Sequence, residues 1–385
     1  MRDRVRPRGA RLEAVRAGRP RLRAARRGGP PPGRRGEGPA GARLATDDLL
    51  RRARHDDGGR RPGACEVRVL VTGADGFVGR WLVRRLLADG REVYAAVRPA
   101  MSAAHPDDGL SDAERAAVRW LPLELLDPDS IRQCAAGPYD AVVHLAAVAS
   151  GPEALRDPSG AWTVNAVGTV RLCHELAEGR VGGRADPLVL VVSTSEVYGR
   201  GEARPRRETD LPVPCSPYAA SKLGEETAAL EAWRRAGLRV IVARPFAHTG
   251  PGQDARFVVP AFAQRVRFAR RIGAPVVKVG NLEPVREFLH VQDVVDAYAR
   301  LLTKGQPGEI YNVASGDGIS LEDLLFRMAG LLGVRPIPEA DPDLMRPADI
   351  PHLVGDGAKL RHATGWAPRF TLDATLKDVL DAQAD

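Results

Sequence analysis

Cysteine is scarce: four residues in 385 (Cys65, Cys134, Cys173, Cys215), widely spaced and without a C-x-x-C pair. Neither a disulfide framework nor a thiolate zinc site is therefore expected, no other metal is called for, and a reducing cytoplasm fits. Long apolar runs are missing too. No stretch approaches the ~18–20 residues that span a bilayer. The arginine pairs Arg26-Arg27 and Arg34-Arg35 are followed by no hydrophobic segment of the kind an export signal carries. The sequence reads as that of a soluble, cytoplasmic protein with no membrane partner. Residues 1–66 lack almost all aromatic and β-branched side chains and are rich in Arg, Gly, Pro and Ala. Such a segment cannot bury enough apolar surface to offset its ordering entropy, so a disordered extension is expected.

The net charge of +8 suggests an acidic partner until it is divided along the chain. Residues 1–66 hold 19 arginines against 8 acidic residues, which leaves 38 basic against 41 acidic for the other 319. The high isoelectric point belongs to the extension, and the remaining body is mildly acidic, which argues against nucleic acid as a partner. The run Val67-Arg68-Val69-Leu70-Val71-Thr72-Gly73 reads as a natural beginning. Translation is expected to start near Val67, from a non-AUG codon; an intact mass that includes residues 1–66 would sink that reading.

From Val67 short apolar strands alternate with helices. Strands are expected at Arg68–Val71, Glu92–Val97, Leu121–Leu125, Ala141–Leu145, Leu188–Ser193 and Leu238–Ala243, and Phe77, Leu82, Leu86 and Leu87 give Phe77–Ala88 helical spacing. Asp127 is a natural N-cap for the helix after the third strand. Buried strands separated by helices predict an α/β fold: a Rossmann-type, doubly wound parallel sheet covered on both faces. After Pro245 the rhythm changes. Helices are expected at Val258–Arg270, Val291–Leu302 and Leu321–Leu332, between loops rich in Gly and Pro. The division predicted is a dinucleotide-binding domain over 67–245 and a smaller mixed α/β substrate domain over 246–385.

Thr72-Gly73-Ala74-Asp75-Gly76-Phe77-Val78-Gly79 follows the first strand and opens the first helix. Gly73, Gly76 and Gly79 permit a tight turn and a close approach of backbone to a pyrophosphate. With Phe77 and Val78 they put free N–H groups and a partial positive charge at the helix N-terminus. An NAD site commonly has an acid at the end of the second strand. Here that strand ends in Val97-Arg98-Pro99, and Arg98 suits a 2′-phosphate, with Arg80 as a second candidate. NADP(H) is favoured, with NAD(H) as the alternative.

Tyr218-Ala219-Ala220-Ser221-Lys222 sets a phenol and an ammonium four residues apart on one helix face, entered through Pro217. A nearby Lys⁺ is expected to lower the phenol towards acid–base work near neutral pH. With the glycine turn and Ser193-Thr194-Ser195-Glu196-Val197-Tyr198-Gly199, the chain from Val67 to about Asp378 resembles the extended short-chain dehydrogenase/reductase family of nucleotide-sugar epimerases, dehydratases and reductases. The resemblance implies a triad of Thr194, Tyr218 and Lys222: Thr194 bonds the reacting sugar oxygen, Tyr218 exchanges the proton at C4, and Lys222 holds the nicotinamide ribose. It also places Leu145, Ala146, Ala147, Asn165 and Pro245 at the cofactor. Glu124-Leu125 stands where an Asp-hydrophobic pair usually meets adenine. A homodimer is implied in the same way.

Arg244 to Gln253, Arg256 to Pro260, Val279 to Phe288 and Arg346-Pro347-Ala348-Asp349-Ile350-Pro351 resemble the GDP-sugar members of the family. There, arginines at Arg286 and Arg346 bind the diphosphate and the acid at Asp349 contacts the nucleoside; His248, Arg256 and Val258 join the expected substrate set. Ala247 departs from the Asn usual at its position. Glu196 is ambiguous. In 4,6-dehydratases a Glu two positions after the catalytic Thr takes the C5 proton, whereas in reductases it only binds substrate. The reading that fits the longer matches is reduction of the C4 ketone of a GDP-4-keto-6-deoxyhexose, with Tyr218 as general acid. The alternatives are a GDP-mannose 4,6-dehydratase using Glu196 as base, another nucleotide-sugar epimerase, or a non-catalytic Rossmann binding protein.

Overall fold

The computed structural model describes residues 67–99, 110–345 and 350–383. The extension expected over 1–66 lies outside them. The chain opens with β1 (Arg68–Thr72), α1 (Phe77–Ala88), β2 (Glu92–Val97), α2 (Asp112–Ala116), β3 (Val118–Pro122), α3 (Pro128–Ala135) and β4 (Ala141–His144). Two short helices, α4 (Gly151–Arg156) and α5 (Pro158–Trp162), lead through a π-helical turn (Thr163–Val167) into α6 (Gly168–Val181). Then come β5 (Leu188–Val192), a 3-10 turn (Ser195–Tyr198), α7 (Pro217–Ala236) and β6 (Arg239–Pro245).

These strands form a parallel sheet in the order β3-β2-β1-β4-β5-β6, the doubly wound arrangement the alternating pattern predicts. Successive residues of β1 serve opposite faces. Val69 and Val71 join the core under α1, and Leu70 joins the core under α3, α6 and α7. That two-faced burial is why the strands read as continuous apolar runs.

The rest of the chain comprises β7 (His248–Thr249), α8 (Val258–Ile272), β8 (Val276–Val279), β9 (Val285–Arg286), β10 (Leu289–His290) and α9 (Val291–Lys304). It continues through β11 (Ile310–Val313), β12 (Ile319–Ser320), α10 (Leu321–Leu331), β13 (Ile337–Ala340), β14 (His352–Leu353), α11 (Ala358–Thr364) and α12 (Leu372–Asp381). These residues feed two cores. β11 pairs in parallel with β6 as a seventh strand, and α9 packs beside α1 through Val294, Val295, Tyr298 and Leu301. By contrast α8, α10 and α12 gather around Phe262, Val266, Leu324, Met328 and Leu376, a separate apolar cluster. Among the described residues no helix is long and apolar enough to cross a membrane.

Two local expectations shift. The third strand begins at Val118 rather than Leu121, because its register on β2 pairs Val93 with Val118 and Val97 with Pro122. Leu123 and Leu125 then enter the core from the loop after it, so the apolar alternation outlasts the strand. The seventh strand, Ile310–Val313, is absent from the sequence reading: four residues interrupted by Asn312 carry too little pattern. The other expectation holds at α3, where the Asp127 side chain accepts from Asp129 N at 2.9 Å.

Candidate active site

The carboxyl ends of β1, β4 and β5 bring the predicted motifs to one edge of the sheet. Gly73 takes φ +68°, and a Cβ there would stand 2.8 Å from Ala146 N. A Cβ on Gly79 would stand 2.2 Å from Gly73 O. The turn is therefore closed against both the Leu145-Ala146 backbone and the first turn of α1. Gly76 caps α1 without a side chain, and no acid stands in the first turn, so the helix N-terminus keeps its orphan N–H groups for an anion. These observations fit a dinucleotide pyrophosphate. Phe77 and Val78 form the first residues of that helix.

Behind the turn a buried polar chain holds β1 and β4 in place. Thr72 Oγ1 lies 2.8 Å from His144 Nδ1 and accepts from Leu145 N and Ala146 N, each at 3.2 Å. His144 Nε2 meets Thr169 Oγ1 at 3.1 Å. Burial, with the charge of Lys222 adding, lowers His144 to about 3, so the ring is neutral and structural at physiological pH. Asn165, fully buried in the π-helical turn, accepts from Val148 N at 2.8 Å. Its amide also donates to Val148 O and, at 2.9 Å, to Ser221 Oγ, which in turn donates to Tyr218 O. Asn165 thus ties the loop carrying Leu145, Ala146 and Ala147 to the helix carrying Tyr218 and Lys222. Sequence reading gave Ser221 no role, although it sits inside the Tyr-Lys motif.

Ser216 caps α7 by accepting from Ala219 N at 3.1 Å, and Pro217 fills its first position. Thr194 lies just past β5, accepts from Glu196 N at 3.2 Å, and stands close enough to the Tyr218 phenol to favour its ionised form slightly. Thr194, Glu196 and Tyr218 therefore meet. Lys222 turns to Glu225, and the two form a buried ion pair. The expected lowering of the Tyr218 phenol is not found. Burial of its hydroxyl and the Glu196 carboxylate push it up, with Glu225 adding, against a smaller lowering by Thr194. The correction has a plain cause: a buried hydroxyl beside the Glu196 carboxylate favours the neutral phenol, while Lys222 turns its ammonium to Glu225.

The remaining residues are placed as follows. Arg98 is exposed just past β2. Arg80 donates to Gly252 O at 3.1 Å, towards the β7 loop rather than Arg98. Glu124 accepts from Leu126 N at 3.0 Å, and Leu125 is buried against Gly168. Pro245 ends β6 in the core. His248 stacks on Phe77 at 6.4 Å between centroids, and its Nδ1 lies 2.9 Å from Phe246 O. A carbonyl only accepts, so Nδ1 carries the proton. Arg256 is exposed beside Asp254 and over Phe257, while Val258 opens α8. Arg286 lies in β9, paired with β12 and β14, near His352. Arg346 and Asp349 lie outside the described residues.

Comparison with known proteins places this arrangement. Residues 69–314 match the NAD dependent epimerase/dehydratase family. The GDP-6-deoxy-D-mannose reductase of Pseudomonas aeruginosa is 36% identical over 316 residues, 81% of this chain and 96% of that relative. A structure of RMD from Pseudomonas aeruginosa complexed with NADPH superposes with a TM-score of 0.68 at 35% identity, covering 82% of this chain and 98% of the other. The Thermus thermophilus UDP-glucose 4-epimerase in complex with NAD gives a TM-score of 0.71 at 30% identity, covering 83% and 100%.

Proposed function

The chain belongs to the NAD-dependent epimerase/dehydratase family, an extended short-chain dehydrogenase/reductase and hence an NAD(P)-dependent enzyme of nucleotide-sugar chemistry, and on that premise we propose that it reduces the C4 ketone of a GDP-linked 4-keto-6-deoxyhexose. The observation that carries the reading is that Tyr218, on α7, meets Thr194 and Glu196 at the end of β5, where burial keeps its phenol neutral. A reductase needs a proton donor at C4 before the reaction begins, and an acid kept protonated is ready for that step. The relative from Pseudomonas aeruginosa named GDP-6-deoxy-D-mannose reductase supports the same substrate class.

NADPH, when bound, supplies the hydride to C4. Gly73, Gly76, Phe77, Val78 and Gly79 would hold its pyrophosphate, and the Asn165-braced loop of Leu145, Ala146 and Ala147 would line it. Pro245 and the Glu124-Leu125 pair complete the proposed cofactor set, and Arg98 favours the 2′-phosphate of NADP over NAD. Tyr218 gives its phenolic proton to the oxygen at C4. Thr194 orients that oxygen and the phenol together, and Lys222 offsets the phenolate left behind. His248, Arg256, Val258, Arg286, Arg346 and Asp349 make up the proposed substrate side. Leu155, Trp162, Val167 and Val170 leave apolar side chains exposed between α4 and α6, which supports a homodimer through this face. A sedimentation measurement reads it directly.

A second reading rests on Glu196. Its carboxylate is close enough to raise Tyr218, so it stands at the reacting end of the site, where a 4,6-dehydratase would need a base for C5. Incubation with the 4-keto-6-deoxy derivative of GDP-mannose plus NADPH is expected to consume both. Consumption of GDP-mannose without added reductant would favour the dehydratase instead. Tyr218→Phe is expected to lose about 10²–10⁴-fold in kcat, the usual contribution of a positioned acid; full activity in that variant contradicts the assignment.

A further inference from the structure

Tyr218, Lys222 and Glu225 fall at positions i, i+4 and i+7 of α7 and so form one stripe along the helix. Lys222 and Glu225 leave only 3% and 1% of their side chains exposed, and their charged ends touch. Beyond that contact neither Glu225 oxygen has a hydrogen-bond partner among the described residues. A carboxylate this buried, with a single counter-ion, is a costly arrangement that apolar packing would avoid. Its neighbour Glu226 is different: it holds Arg244 of β6 through two bonds of 2.9 and 2.6 Å and braces helix to sheet.

We propose that Glu225 is a positioning residue for Lys222, anchoring the ammonium and setting how much of its charge reaches Tyr218. The inference rests on the reading of Tyr218 as the proton donor. While Glu225 is ionised, part of the Lys222 charge is offset, which adds to burial and to Glu196 in keeping the phenol protonated. When Glu225 takes up a proton, the full ammonium charge favours phenolate.

The surroundings put that change near neutrality. Burial pushes Glu225 up to about 7, with Lys222 opposing and Glu226 adding. Across from it on α6 stands Cys173, whose thiol is driven up to about 12 by burial and by the Glu225 charge, so it brings no negative charge of its own. His144 of β4 faces Lys222 and is neutral. Glu196, from the 3-10 turn, acts on Tyr218 as well, and Tyr298 of α9 also lies within reach of the phenol. Arg244 is held by Glu226.

The test is Glu225→Gln, which keeps the shape and removes the charge. Tyrosinate absorbance is titrated in the NADP⁺-loaded enzyme, with Tyr218→Phe subtracted, alongside the alkaline limb of kcat for ketone reduction. The variant is expected to show about a tenfold higher ratio of phenolate to phenol at a given pH, and an alkaline limb moved down by about one pH unit. A folded variant with lower thermal stability but an unmoved titration shows a purely structural role and overturns the proposal. Should Glu225→Gln not fold, Glu225→Asp shortens the reach of the carboxylate and is expected to move the titration in the same direction by less; an unmoved titration there overturns the proposal equally. The absorbance reading needs no turnover. A shifted titration in an enzyme inactive on every GDP-sugar would defeat the reductase reading and leave this one standing.

Discussion

Gly79→Ala tests whether the glycine turn is built for close backbone approach. The added Cβ would lie 2.2 Å from Gly73 O, 2.7 Å from Ala74 Cα and 2.8 Å from Ala74 C, all backbone atoms. Ordinary contact is about 3.5–4.0 Å between carbons, so the turn and the start of α1 must separate by roughly 1 Å. The turn has no slack to give. Gly73 N is held by Ala96 O at 2.9 Å, and its Cα side is pressed against Ala146. Overpacking of this kind costs about 1–3 kcal/mol. The resulting fall in Tm is about 2–4 °C per kcal/mol at most for a unit of this size. The effect on dinucleotide binding is the sharper one, because a displacement near 1 Å in a positioning element loses roughly 10²-fold. Titrating NADPH fluorescence against wild type and variant, with thermal unfolding in parallel, reads both numbers. Gly330→Ala is the control. It sits near the end of α10 with nothing within 4 Å of its added Cβ, and is expected to stabilise by at most about 0.5–1 kcal/mol without touching NADPH affinity. A Gly79→Ala protein with NADPH affinity within about twofold of wild type, a difference of roughly 0.4 kcal/mol, would refute the close-approach argument.

Two further outcomes follow from buried charge. His144 is lowered to about 3 from 6.5, so the unfolded chain takes up a proton that the folded one refuses. The stability it contributes is complete above about 6.5 and is lost as pH falls towards 3, at up to about 1.4 kcal/mol per pH unit. Urea midpoints measured across that window should fall less steeply for His144→Gln than for wild type; parallel slopes would show that the ring is not buried neutral. Arg244 and Glu226 are 3% and 2% exposed, so Arg244→Met leaves a carboxylate unpaired in the core and is expected to cost about 3–5 kcal/mol. Adding Glu226→Leu should recover most of that loss, and a single variant costing under about 1 kcal/mol would mean that water reaches the pair.

Much of the cofactor end was legible because its signals are local. A glycine turn between a buried strand and an amphipathic helix, and a Tyr and Lys four apart behind Pro217, depend on neighbours within a few residues. The structure reproduces each. The third strand was misplaced by three residues because Leu121, Leu123 and Leu125 alternate as a strand would, although the last two pack from a loop. Asn165 could be located by resemblance. Its clamp on Val148 and Ser221 depends on two elements 17 and 56 residues away, and no local pattern reports that.

The amino-acid order alone determined the doubly wound sheet and the glycine turn, and spacing set Tyr218 and Lys222 on one helix face, whereas Thr194 joined them only through the family resemblance. Tertiary structure decided the sign of the electrostatics. Whether Lys222 pulls the phenol down depends on what else shares its enclosure. Burial, Glu196 from a different element, and Glu225 one turn further along α7 reverse the expectation together. It also decided that β11, from beyond the β6 boundary, closes the sheet, because a four-residue strand gains its stability from pairing with β6 rather than from its own pattern.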